Sequence, residues 1–286
     1  MARGAGCDGS GTRSSARGRV YGIQTTALST AQADALDQRV RDFRQAKLNR
    51  IKDAVAPNYD WLPGSDLLNQ WAATELHHVI LEGISNGVPL IKEMMQEAFA
   101  DAISTAGFEV QSSDRRNEPG TDFSVDRRTV SFKTEAETNI KPDKIRLAKF
   151  RSAAWVLGMT QQDIAFKARE QVRADLKDID RLIVFRRLLD ENELRFEVVE
   201  IPTRMLIAGI KAMKPEDFQR DNEDSVQWHA DAYHKGELLF TLVYDSAPKI
   251  SFRNIPMDRC TTHCVWHFPA WLADRESEQW DAIRAA

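Results

Sequence analysis

The sequence predicts an α/β (α+β) fold: a mixed β-sheet flanked by helices, with N-terminal helices and a C-terminal β-rich extension. Three observations predict it. Over about residues 88–106, Ile91, Met94, Met95, Ala98, Ala102 and Ile103 recur at the spacing of one helix face. Over 121–136 the pattern changes to strict alternation, the two-residue period of a strand. Beyond that, Arg181–Phe185 reads as a buried strand, the chain turns at 190–193 into Leu194–Glu200, and strand-like segments follow at about 225–233, 237–245 and 248–253.

The elements can be justified in order. Residues 1–25 are Gly-, Ser- and Arg-rich with Asp8 as their one acid, which gives the expectation of a disordered basic tail. They lack the apolar stretch of a secretory signal. Ser29 or Thr30 can cap a polar helix running to about Val55. Pro57–Gly64 is turn-rich. Helices are expected at 65–85 and 88–106, separated by Ser85-Asn86-Gly87. Gly107-Phe108-Glu109-Val110 reads as a first strand, and 142–157 and 160–178 as two further helices divided at Gly158. Another helix begins at Pro202. The expected organisation is a tail at 1–25, an N-terminal helical region at 26–87, a core at 88–212 and an extension at 213–286 packed with the core as one unit.

Composition narrows the class of protein. At 42% hydrophobic and 29% charged over 286 residues, the chain has ordinary globular make-up and length enough for a substantial core. No run approaches the ~18–20 apolar residues of a membrane span. Three cysteines make no disulfide framework and point to a reducing, cytoplasmic setting. A net charge of −4 argues against a globally basic nucleic-acid coat protein, but leaves room for an enzyme with a local basic cleft.

The segment that carries chemistry is Gly120–Val125 followed by Thr129–Ala136. Read as a hairpin across Asp126–Thr129, it pairs Val125 with Val130, Phe123 with Phe132 and Asp122 with Lys133. Asp122, Ser131, Lys133 and Glu135 then share the polar face. A hard cation such as Mg²⁺ takes oxygen ligands, often one or two carboxylates plus substrate phosphate. Asp122 supplies a carboxylate, the Phe132 carbonyl a second oxygen, and Lys133 can orient or help deprotonate a water. The alternative is a surface hairpin with a cross-strand ion pair worth ~0.2–1 kcal/mol. The turn is the weak element, because Arg127-Arg128 is not the Asn-Gly or Asp-Gly of a tight hairpin.

Gly120-Thr121-Asp122 followed by Ser131-x-Lys133 resembles the PD-(D/E)xK nuclease core in the SxK form found among type II restriction endonucleases. The order of helix, strand, hairpin and helix over roughly residues 88–200 is similar to that family's core. The resemblance implies a restriction-endonuclease-like core and Mg²⁺-dependent, sequence-specific hydrolysis of double-stranded DNA. It makes Asp122 the metal-binding aspartate and Lys133 the catalytic lysine. Ser131 stands where most members carry an acid, so a second carboxylate must come from elsewhere. Glu97, on the preceding helix, and Glu135 are the candidates. Glu97 faces away from the apolar stripe, so a surface carboxylate and a metal ligand are both open readings, with Glu82 a weaker third choice. The resemblance also implies a homodimer, since two-fold symmetry suits a palindromic site, and a cognate DNA methyltransferase as functional companion. A repair or junction nuclease of the same fold, and a catalytically inactive DNA-binding or regulatory protein, are the alternatives.

Two further groups stand out. Lys141, Lys144, Arg146 and Lys149 crowd the sequence after the hairpin and are candidates for phosphate contact, or for the solvated face of a helix. Cys260, His263, Cys264 and His267 could gather on a helix as a zinc site. A strand through Val265, Trp266 and Phe268 fits the sequence as well and scatters them.

Overall fold

The computed structural model describes residues 55–85, 92–112, 122–136, 140–153, 159–220, 227–244 and 249–273, and helical positions 38, 39, 41, 42, 45, 46 and 49 before them. The chain divides into two units, Met1–Phe43 and Arg44–Ala286. In the first, Gln38 Nε2 donates to Asp42 Oδ1 at 2.8 Å, the contact between successive turns of the expected N-terminal helix. The expected tail at 1–25 lies outside the described residues.

In the second unit, helical positions 45, 46 and 49 are followed by β1 (Tyr59–Trp61) and two helices, α1 (Gln70–Ser85) and α2 (Lys92–Thr105). Asn69 caps α1, its Oδ1 accepting from Ala72 N at 3.0 Å. Gly107, at φ +97°, ends α2, with Phe108 N donating back to Ile103 O at 3.1 Å. There follow β2 (Val110–Ser112), β3 (Phe123–Val125), β4 (Arg128–Glu135) and β5 (Lys144–Ser152). Next come α3 (Gln161–Lys167), a π-turn at Ala168–Val172 and α4 (Arg173–Lys177). The remainder is β6 (Arg181–Leu189), β7 (Glu193–Ile201), α5 (Thr203–Ala212), β8 (Phe218–Arg220), β9 (Trp228–His234), β10 (Glu237–Tyr244), β11 (Lys249–Pro256) and β12 (Thr261–Pro269).

Among the described residues these strands form two sheets, a seven-stranded one in the order β1-β12-β7-β6-β4-β3-β2 and a five-stranded one in the order β5-β11-β10-β9-β8. The larger sheet is mixed, with β4 parallel to β6 and the other pairs antiparallel. This is the mixed α+β architecture of a restriction-endonuclease-like core.

Strand β6 shows how the layers are held. Ile183 and Phe185 enter a core with Leu76, Ile80 and Phe99 of the first two helices. Leu182 and Val184 enter a second core with Val172, Leu206 and Phe240, from the later helices and the smaller sheet. Alternate residues project to opposite faces, so a strand covered on both sides reads as one apolar run. That is why this strand was legible in the sequence.

Several expectations are corrected. Residues 142–157 were expected to be helical, but Lys144–Ser152 is strand β5, paired antiparallel with β11. The buried Ile145 and Leu147 alternate with less buried neighbours, which is a strand period, and the partner that decides it is about a hundred residues away. Residues 154–158 lie outside the described set. The hairpin is shifted by two residues: Phe123 pairs with Val130, Ser124 with Thr129 and Val125 with Arg128. The turn is the two-residue Asp126-Arg127, at φ 48° and 66°, so both residues take the left-handed conformation that type I′ geometry demands. The segment expected as a turn at 57–64 contributes β1, and 261–269 resolves as β12. Among the described residues no helix is long and apolar enough to cross a membrane.

Two core positions give predictions. A Cβ built on Gly209 of α5 would lie 2.5 Å from Phe240 Cε1 and 3.1 Å from Ala232 Cβ. Gly209→Ala is therefore expected to destabilise by about 1–3 kcal/mol through overpacking, although alanine is the better helix former. The midpoint of urea unfolding measures it. His77 is fully buried against Phe268, ring centroids 4.9 Å apart, and neither ring nitrogen has a hydrogen-bond partner among the described residues. Burial pushes its pKa down from 6.5 to about 4, so the unfolded chain takes up a proton before the folded one does. Stability should fall as pH drops from 6.5 towards 4, by up to about 3 kcal/mol, and His77→Phe should flatten that loss in unfolding curves at pH 7 and pH 4.5.

Candidate functional site

The hairpin brings Asp122 and Lys133 together, although not in the register expected. Asp122 lies just before β3, and its backbone N–H donates to Val130 O at 2.8 Å. Its Oδ2 accepts from Phe132 N at 2.6 Å, a charge-assisted bond that fixes the carboxylate across the mouth of the strand pair. Lys133 Nζ lies 3.9 Å from the same oxygen. Both side chains are mostly enclosed, at 16% and 20% exposure. The shift of two residues preserves their common face, because strand side chains repeat every two. The Phe132 C=O projects to the same strand edge as its N–H, hence towards Asp122. A carboxylate and an ammonium therefore meet at the strand edge to which the Phe132 carbonyl projects.

The acids proposed from sequence separate. Glu97 and Asp122 line one cleft of about 360 Å³, with Gln96, Asp101 and Ser104. Asp101 is one helical turn beyond Glu97 and is a cleft acid the sequence reading passed over. The i,i+4 spacing of the two on α2 was the available signal. Glu82 does not line this cleft. Glu135 is held elsewhere: its Oε2 accepts from Arg186 Nε at 2.8 Å and its Oε1 from Arg146 N at 2.9 Å. Ser131 is fully buried, and its Oγ has no hydrogen-bond partner among the described residues.

Arg186 is the centre of a buried ionic network. Its Nη1 donates to Glu197 Oε2 at 3.0 Å, and its Nη2 donates to the carbonyls of Lys141 at 2.7 Å and Lys144 at 2.9 Å. Arg195 Nε stands 2.9 Å from Glu197 Oε1. Two carboxylates thus face two guanidinium groups.

Of the cationic candidates, Lys141, Lys144 and Arg146 line a second cleft with Glu135, Arg253 and Asn254. Lys149 is exposed, at φ 55° in the middle of β5, and does not line it. Cys260 precedes β12, and His263, Cys264 and His267 are spread along it. His263 Nδ1 lies 2.7 Å from Ser65 Oγ and its Nε2 3.0 Å from Glu200 Oε2. His267 Nδ1 lies 2.6 Å from Glu193 Oε1. Burial pushes the Cys260 and Cys264 thiols up to about 12, which disfavours the thiolate a metal requires. No group of three or more His, Cys, Asp or Glu side chains suited to a metal ion is found among the described residues. The oxygen set around Asp122 fits a hard cation only in the sparse manner of Mg²⁺, where few protein carboxylates are needed and substrate phosphate completes the shell.

A family model described as SmaI, type II site-specific deoxyribonuclease, matches residues 62–268. The type II restriction enzyme SmaI of Serratia marcescens is 24% identical over 197 residues, covering 66% of this chain and 76% of that protein. No solved structure matches.

Removing one member of the buried network should leave the others uncompensated. Arg186→Met is expected to cost about 3–5 kcal/mol in unfolding free energy, read from denaturant curves.

Proposed function

The chain belongs to the SmaI family of type II site-specific deoxyribonucleases, and on that basis we propose that it cleaves double-stranded DNA at a specific sequence, with Mg²⁺, through a PD-(D/E)xK-type site of the SxK form. The observation that carries this reading is the pairing of Asp122 with Lys133 beside Phe132, with Oδ2 of Asp122 fixed 2.6 Å from Phe132 N and 3.9 Å from the ammonium. Asp122 and the Phe132 carbonyl would hold the cation. When bound, a divalent cation lowers the pKa of a water and offsets charge on the phosphate. Lys133 orients that water and adds its own positive charge beside the scissile phosphate.

The second acid is Glu97, because it shares the cleft with Asp122, whereas Glu135 is committed to Arg186 and the Arg146 backbone. Glu135 therefore serves the frame, and Ser131 is left out of the ligand set by its burial. Lys141, Lys144, Arg146 and Lys149 contact phosphates and fix position without reading sequence. The extension at 213–286 contributes to recognition. A homodimer acts on a two-fold site, with a cognate methyltransferase as companion, in a reducing cytoplasm compatible with the unbridged Cys260 and Cys264.

Incubating the protein with long duplex DNA, with Mg²⁺ or with chelator, tests the reading. Discrete Mg²⁺-dependent fragments are expected. Asp122→Ala and Lys133→Ala should each lower the cleavage rate by about 10²-fold or more. Glu97→Gln should lose cleavage at unchanged stability, and Glu135→Gln should lose stability. Fragments of equal yield in chelator, or full activity in Lys133→Ala, would overturn the assignment.

A further inference from the structure

The cationic cleft lies beside an irregularity in the pairing of β11 with β5. Along β11 and β5, Phe252 pairs with Leu147 and Ile255 with Ile145. Three steps on β11 therefore match two on β5, so Arg253 and Asn254 together stand opposite Arg146. That is a β-bulge, a device that re-aims side chains and is frequent beside active sites. Asn254 takes φ 57°, a left-handed conformation that few residues other than glycine adopt and that asparagine tolerates. The bulge is tied down from behind. Asn254 Nδ2 donates to Thr241 Oγ1 at 3.1 Å, and that hydroxyl donates to Asp231 Oδ1 at 2.6 Å. Three strands of the smaller sheet thus hold Arg253 where it is.

The result is a cleft of about 140 Å³ lined by Lys141, Lys144, Arg146 and Arg253. Among the described residues Glu135 is the one carboxylate in its wall, and the Arg186 guanidinium already faces it at 2.8 Å. Arg253 Nε is buried with no hydrogen-bond partner among the described residues. Like charges gathered in a partly enclosed cleft repel one another more strongly than in open water. An anion relieves that repulsion, and a guanidinium presents the planar fork that fits a phosphate's oxygens.

We propose that this cleft binds a backbone phosphate of the duplex beside the scissile one, and that the inserted residue of β11 serves to bring Arg253 to it. The proposal rests on the nuclease reading for the identity of the polymer. Its place along the strand agrees with that reading. Glu135, in the cleft wall, is two residues beyond Lys133 on one face of β4, roughly 7 Å at strand rise. A DNA strand advances about 3.4 Å per nucleotide along its axis, so the held phosphate lies on the order of one or two nucleotides from the bond at Lys133.

Binding of the full-length protein to long duplex DNA, in chelator and between about 50 and 200 mM salt, tests this. Each phosphate contact adds about 0.9 to the slope of log affinity against log salt. Arg253→Gln is expected to reduce the slope by about one and to shrink the loss of affinity across that range about threefold. Lys144→Gln should do the same, which keeps the test decisive if Arg253→Gln lowers the thermal midpoint. Unchanged slopes in both variants, with folding intact, would overturn the cleft assignment and leave the nuclease site untouched. Asp122→Asn separates the two claims: it should abolish cleavage and keep the parental slope. If it still cleaves, the catalytic assignment fails, while the slope data on Arg253 stand by themselves.

Discussion

The buried guanidinium of Arg186 is the constraint from which the arrangement of this molecule follows. A cation without solvent costs several kcal/mol unless its donors are matched. Here they meet Glu135, Glu197 and the carbonyls of Lys141 and Lys144. Those partners come from three places: strand β4, strand β7 on the other side of β6, and residues 141–144 where the chain enters β5. The bonds therefore tie the strand bearing Lys133 to the chain that opens the smaller sheet. Groups set on such a frame keep their mutual positions because their supports cannot move independently.

On that frame, the hairpin sets the chemistry. Its two turn residues, Asp126 and Arg127, both sit at positive φ. This type I′ turn matches the twist of the strands it joins, and for that reason it can be short. The sequence lacks the glycine that marks such turns, so the reading allowed four residues and misjudged the register by two. The error did no harm to the site. Side chains repeat every two residues along a strand, and a shift of two returns each to its own face. Asp122 and Lys133 were thus legible as a pair from alternation alone, whereas their spacing was not. A shift of one would have separated them.

What remained hidden depends on partners distant in sequence. Ile145 and Leu147 allow a strand or part of a helix, and only β11, beginning at Lys249, decides between them. The same distance concealed Arg253 and Asn254, which lie in an unremarkable strand until the bulge sets them against Arg146. Glu135 is a related case: alternation puts it on the face of Lys133, but Arg186, fifty-one residues on, is needed to show that its charge is matched. Glu97 looked like a surface carboxylate because it does face solvent. Only the position of β3 beside α2 makes that solvent a cleft shared with Asp122.

The net charge of −4 conceals this local distribution. Acids, Asp122 among them, collect where α2 meets the start of β3, with Lys133 beside Asp122, and cations collect where β5 meets β11. The two gatherings oppose each other in their effect on a polyanion. Carboxylates repel a phosphate backbone unless a cation screens them, while the basic cleft attracts it with or without metal. In the nuclease reading, docking is therefore separable from chemistry: the basic cleft can hold the duplex before the acidic one is neutralised. A site with both functions in one cluster would lose its grip when the metal left. On the proposed reading, spreading them along a strand held at Arg186 lets each be tuned by its own neighbours, and a net acidic chain keeps a local cationic surface for DNA.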